Sequence, residues 1–281
     1  MPARAILLVL LSAFLHALWN ALLKRGRDLE AQSAATFAGA ALLSAGLACL
    51  QPGPSFPTRE ALGWALASGL FEGVYIVCLV RALGRASLGW AYTWMRGSAV
   101  LAVWPLALAV SQERPTPVAA ASALLVLLGL VAMGRRPGEQ VGPRAWPWTL
   151  GAGLSIAAYN LCYKAALGFG AKTTGLFAVS LGLGLGLQLA EQASRKALPT
   201  LARVFEAPGR LALGSAVCAG GFLFYLVAME TEGAARVTTL RNTSVVFALL
   251  LSWMLGERPG RNVWLGAALV ACGAAGLGWG R

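Results

Sequence analysis

The sequence predicts an all-α membrane protein, with ten transmembrane helices arranged as two inverted five-helix repeats around a central cavity. Three observations predict it. Apolar residues make up 58% of the chain and charged residues only 12%, about half the share of a soluble domain. The apolar residues fall into ten runs of membrane-spanning length. A set of polar landmarks, inside or beside those runs, occurs twice in the same order.

An α-helix crosses a bilayer core with about 20 predominantly apolar residues. The ten runs cover approximately residues 4–24, 32–51, 60–82, 87–110, 117–134, 147–168, 173–192, 209–230, 235–255 and 262–280. The first follows Met1-Pro-Ala-Arg4 and resembles a secretory signal, but it continues past residue 15 without a clear cleavage site and reads as a retained span. The connections are short and carry turn chemistry, as in Gln51-Pro-Gly-Pro-Ser-Phe-Pro57, Gly134-Arg-Arg-Pro-Gly138 and Glu257-Arg-Pro-Gly260. The longest, Ala193 to Pro208, is basic, and none has room for a soluble domain. Gly182, Gly184 and Gly186 alternate within the seventh run and follow no strand, so they form no phosphate loop. With Gly69 and Gly73 in the third run they predict close helix packing or a breakable helix.

Composition excludes several classes of function. The net charge is +12, but the basic residues sit singly or in pairs between apolar runs. That pattern has no basic stripe for nucleic acid, and anionic lipid headgroups account for it. One Asp (Asp28) and one His (His16) leave no material for a His/Cys metal cluster, an aspartyl dyad or a Ser-His-Asp triad. No metal, cofactor or catalytic residue is therefore expected. The five cysteines are scattered with no CxxC pair and read as small buried hydrophobes.

The repeat rests on three pairs of landmarks. Trp19-Asn20 with Lys24 in the first run returns as Tyr159-Asn160 with Lys164 in the sixth. Arg96-Gly-Ser-Ala-Val100 returns as Arg241-Asn-Thr-Ser-Val245, and Ser111-Gln-Glu-Arg-Pro115 returns as Leu255-Gly-Glu-Arg-Pro259. The two units are residues 1–138 and 139–281. An odd number of spans per unit forces the second into the opposite orientation, which is the inverted-repeat plan of secondary transporters with a site near the bilayer midplane. Connections after odd-numbered runs carry fourteen Lys/Arg, against six at the termini and in the even-numbered connections. The positive-inside rule then puts both termini outside.

With these landmarks the chain resembles the drug/metabolite transporter superfamily in its ten-helix EamA-like branch. The matching residues are His16-Ala-Leu-Trp-Asn20 with Lys24, Arg96 and Arg241, and Gly256-Glu257 with Gln112-Glu113 as its variant. The resemblance covers essentially the whole chain. It implies two inverted bundles around a central cavity, ATP-independent export or exchange of small metabolites such as amino acids, and cytoplasmic termini, opposite to the charge count.

Ionisable residues deep in a bilayer cost about 2.5–3.5 kcal/mol each on insertion scales, so each marks a candidate site. Glu72 is the most central, with Tyr75 on the same helical face. It could hold a substrate amine or carry a coupling proton, or it could be an ion-pair partner that locks helix packing. Arg96, with Tyr92 one turn before it, and Arg241, with Asn242 after it, offer guanidinium forks suited to carboxylate or phosphate. Two arginines against one glutamate favour an anionic or zwitterionic substrate.

His16, Trp19 and Asn20 share one face, and Tyr159, Asn160 and Lys164 repeat part of that pattern. The asparagines could line the cavity or bond between helices. His16 and Glu230 join Glu72 as proton-coupling candidates, and Tyr225, close before Glu230, completes the candidate substrate contacts. The reading is a secondary transporter, exporter or exchanger, of amino acids or related organic anions by alternating access. Its partners are a small-molecule substrate and the lipid bilayer, in a multi-pass protein of the bacterial inner membrane. The alternative is a membrane-embedded enzyme or lipid-handling protein acting on a lipid-linked substrate.

Overall fold

A computed structural model of the chain describes all residues except 25–27, 84, 87, 112–115, 135–141, 197–206, 255–258 and 280–281. Every described element is helical. The helices are α1 (Ala3–Lys24), α2 (Leu29–Cys49), α3 (Arg59–Leu83), α4 (Leu88–Ser111), α5 (Pro117–Gly134), α6 (Trp146–Gly168), α7 (Thr173–Ser194), α8 (Pro208–Thr231), α9 (Ala234–Arg241), α10 (Ser244–Met254) and α11 (Arg261–Trp279).

Local chemistry sets several helix starts. The Asp28 carboxylate accepts from the Ala31 amide at 3.0 Å and caps α2. The hydroxyls of Thr58 and Thr116 accept from the Ala61 and Ala119 amides in the same way, at the starts of α3 and α5. Large apolar side chains such as Leu7, Leu42, Leu124 and Leu265 cover the outer surface. In a membrane protein that surface meets lipid, so its exposure carries no hydrophobic cost.

Among the described residues, six helices are long and apolar enough to cross a membrane: α1, α2, α3, α5, α7 and α8. The described apolar parts of α4 (Trp94–Val110) and α11 (Arg261–Leu277) are shorter. The 23-residue α6 interrupts its apolar surface with Ser155, Asn160 and Lys164. The ninth predicted run corrects the sequence expectation most clearly. It is not one helix but an eight-residue α9 and an eleven-residue α10, broken at Asn242 and Thr243.

The helices interleave. α3 packs against α6 and α7, α8 against α1 and α2, α6 against α4, and α1 against α10 and α9. α2 also packs on α7, and α5 on α11. Exchanging the two halves of the chain maps this set of contacts onto itself. Glycines let two of these pairs approach closely. A Cβ on Gly69 would sit 2.9 Å from the Ser180 carbonyl of α7, and one on Gly129 would sit 2.5 Å from the Gly266 carbonyl of α11. Of the three alternating glycines in α7, Gly184 meets the α3 backbone while Gly182 and Gly186 face open space. α7 itself is unbroken.

The two ends of the bundle are closed differently. At one end the connection before α3 docks on the connection before α7. The Lys172 amide donates to the Ser55 carbonyl at 2.9 Å, and the Lys172 ammonium reaches the Pro52 and Gly53 carbonyls. At the other end Glu191 of α7 accepts from Arg81 of α3 at 2.6 Å and from Arg195 at 2.9 Å, and Arg195 also reaches Glu30 of α2.

Candidate functional site

The polar residues singled out in the sequence gather inside the bundle at two linked centres. The first is built on α1, where His16 and Trp19 are buried, one helical turn apart. The Trp19 indole N–H donates to His16 Nδ1 at 3.1 Å. Arg96 of α4 approaches the other ring nitrogen, Nε2, through its Nη2. Arg241, the last residue of α9, brings its Nη2 to 3.4 Å from Nδ1. The two arginines, one from each half of the chain, thus converge on one imidazole.

Arg241 is 3% exposed, and its guanidinium lies 4.2 Å from the ring centres of both Phe222 and Tyr225 on α8. Such cation–π contacts partly replace lost hydration. No carboxylate oxygen lies within ion-pair distance of Arg241 among the described residues.

The second centre is built on α3. Glu72 is buried, and its Oε2 accepts from Tyr163 of α6 at 2.8 Å and from Ser180 of α7 at 2.7 Å. Ser68, one turn before Glu72, donates to the Ser180 hydroxyl at 2.9 Å. No ion pair to Glu72 occurs among the described residues, so the packing-lock alternative takes the form of hydrogen bonds to hydroxyls instead. Tyr159 packs between Tyr75 and Tyr163, with ring centres 6.0 and 5.4 Å away. Phe177 of α7 stacks on Phe222 at 4.8 Å and carries the aromatic lining round to Arg241. A cleft between α1, α2 and α8 is lined by Trp19, Gln32, Thr36 and Arg210.

The remaining candidates fall in several places. Asn20 turns back along its own helix and donates to the His16 carbonyl at 2.7 Å, so it bonds within α1 rather than between helices. Asn160 is buried, and its Oδ1 has no hydrogen-bond partner. Lys164 reaches the last carbonyls of α8, Met229 at 2.8 Å and Glu230 at 3.4 Å, where a cation complements the helix dipole. Glu230 itself is exposed at the end of α8, outside both centres. Tyr225 bonds the Thr238 hydroxyl at 2.7 Å, and Asn242 donates to the Thr238 carbonyl at 3.1 Å. The side chains of Tyr92 and Lys24, and the residues Gln112-Glu113 and Gly256-Glu257, lie outside what the structure describes.

Sequence reasoning missed Tyr163, Ser180, Ser68 and Phe222 as site residues. Ser68 stands four before Glu72, and Tyr163 four after Tyr159, so helical spacing alone could have flagged both. Ser180 and Phe222 carry no such signal, because only the packing of α7 and α8 brings them in.

Comparison with known proteins agrees with this architecture. Residues 144–279 match the EamA-like transporter family. That stretch, the second half of the chain, carries the family's pattern, which implies a membrane transporter of the drug/metabolite type. A solved crystal structure of a protein aligns over 98% of this chain and 96% of its own, with a TM-score of 0.79 at 17% identity. That likeness extends the fold across both halves. No curated protein matches the sequence.

Proposed function

We propose that the protein is a secondary, ATP-independent exporter or exchanger of small polar metabolites, such as amino acids or related organic anions. The observation that carries this reading is that both halves of the chain contribute buried charged residues to one interior region. His16, Glu72 and Arg96 come from the first half, and Tyr159, Tyr163 and Arg241 from the second. Burying such groups in a membrane bundle without a task is costly, and a site shared by two repeats is where alternating access acts.

In this reading residues 1–138 and 139–281 are two inverted repeats giving ten spans, with α9 and α10 together forming the ninth. The exchange symmetry of the helix contacts supports it. The solute binds among His16, Trp19, Glu72, Arg96, Tyr159 and Arg241, and Glu72 is the proton-coupling candidate. The expected location is the bacterial inner membrane. Proteoliposomes test the function directly: purified protein should carry a labelled amino acid or organic anion down an imposed pH or counter-solute gradient. No flux of any such solute, together with modification of the liposome lipid, would contradict it.

A further inference from the structure

The cleft between α1, α2 and α8 holds polar groups that the two centres do not use. Gln32 and Thr36, one turn apart near the start of α2, line it together with Arg210 in the first turn of α8. Among the described residues, the Gln32 amide, the Thr36 hydroxyl and the Arg210 guanidinium make no hydrogen bond and no ion pair. Thr36 is only 6% exposed, and a polar group with so little exposure is normally hydrogen-bonded. Asp28, one turn before Gln32, is already occupied, because its carboxylate caps α2 through the Ala31 amide. The other walls are apolar: Leu22, Leu211 and the ring of Trp19, whose N–H points to His16 instead. The enclosed space is about 20 Å³, room for one small polar group and too little for a whole metabolite.

We infer that this cleft docks the phosphate group of an anionic phospholipid, inserted from the bilayer at headgroup depth. Its donors come from the first two turns of α2 and α8, at the end of the bundle where Glu30 meets Arg195, so they lie near the membrane surface rather than its midplane. The arginine fork suits phosphate oxygens, and the Gln32 amide and Thr36 hydroxyl add neutral donors. The small enclosed space takes the phosphate oxygens and leaves the glycerol and acyl chains outside, against the apolar outer surface. The sequence favours an anionic lipid. The connections that precede α2 and α8 contribute Arg25, Arg27, Lys196 and Arg203, and basic juxtamembrane segments attract anionic headgroups. Free phosphate offers the same oxygens but no apolar part for the walls of the cleft. The inference does not depend on what the bundle transports; it requires only that the chain lie in a bilayer.

Thermal-shift titration of the purified full-length protein in a neutral detergent tests the site. The probes are dioctanoyl phosphatidylglycerol, dioctanoylglycerol, which lacks the phosphate, and inorganic phosphate, which lacks the lipid. Phosphatidylglycerol should raise the melting temperature saturably, and neither other probe should match it. Arg210→Gln should weaken phosphatidylglycerol at least about tenfold, the effect of losing a charge-assisted hydrogen bond. Thr36→Val, close to isosteric, should weaken it by a smaller factor, and it serves as the test if Arg210→Gln does not fold. Arg195→Gln removes a charge at the same end but outside the cleft, so it should change the affinity by no more than about twofold. Equal stabilisation by dioctanoylglycerol, stabilisation by none of the three, or unchanged affinity in the cleft variants overturns the site. A loss in Arg195→Gln as large as in Arg210→Gln also overturns it, because the effect would then be unspecific surface charge. Inorganic phosphate that stabilises the protein alone and displaces the lipid overturns the lipid as occupant and assigns the cleft to a free phosphate.

Discussion

Helix α4 and the α9–α10 pair carry arginines in matching sequence motifs and reach the same imidazole, yet their backbones differ. α4 runs unbroken past Arg96 and even through Pro105. The second copy stops at Arg241, turns through Asn242 and Thr243, and restarts at Ser244. The turn is held by tight bonds: the Asn242 amide donates to Thr239, the Thr243 amide to Leu240, and the Asn242 side chain to Thr238. Arg241 therefore sits at the C-terminus of a short helix, where the negative end of the dipole favours a cation, while Arg96 lies in the interior of α4. The lesson is that a duplicated motif can conserve a charge while changing its backbone support. Broken helices in transporters are where backbone groups and solutes meet.

The largest effect that would sharpen this contrast is expected at Arg241 itself. Arg241→Ala should abolish flux in proteoliposomes, because it removes the only cation stacked on Phe222 and Tyr225 among the described residues. Substantial residual flux would mean that the second arginine is structural. Next comes Asn242→Leu, which leaves the Thr238 carbonyl without its side-chain donor. Losing a buried bond of this kind costs about 1–3 kcal/mol, so flux or stability should fall about tenfold. The matching change in α4, Gly97→Ala, should be harmless or slightly stabilising. The new Cβ meets only Leu127 Cδ1, at 3.4 Å, and alanine favours a helix interior by about 0.5–1 kcal/mol over glycine. Equal damage from both substitutions would erase the distinction between a broken and an unbroken helix.

Glu72→Gln keeps an acceptor for Tyr163 and Ser180 but removes the charge and the titration. The variant should fold, and its flux should lose the wild-type dependence on pH. A wild-type pH profile would remove Glu72 from coupling. The smallest effect is expected at the end of the bundle. Arg195 is 38% exposed in its pairs with Glu191 and Glu30, so Arg195→Ala should cost no more than about 1 kcal/mol, and less at high salt.

Much of the fold was legible because the physics of a bilayer is strict. Apolar run length located six helices long and apolar enough to cross a membrane. The break at Asn242 was not legible, since Arg241-Asn-Thr-Ser lies in an apolar run without proline or glycine. His16, Trp19, Glu72 and the two arginines were found as costly polar groups in apolar surroundings, and the structure brings them inside one bundle. The inward destination of Ser180 and Phe222 was invisible because ordinary residues become site residues only through helix packing. Glu230, near the end of its run, lies exposed at the helix terminus.

The central claim is that the two arginines, one from each half of the chain, act as a single site through His16. A double-mutant cycle on flux tests it most directly, using Arg96→Gln, Arg241→Gln and the pair in proteoliposomes. Residues that act as a unit are non-additive, so the double variant should be no worse than the more damaged single. Losses that multiply independently would contradict the account and separate the two halves into unrelated sites.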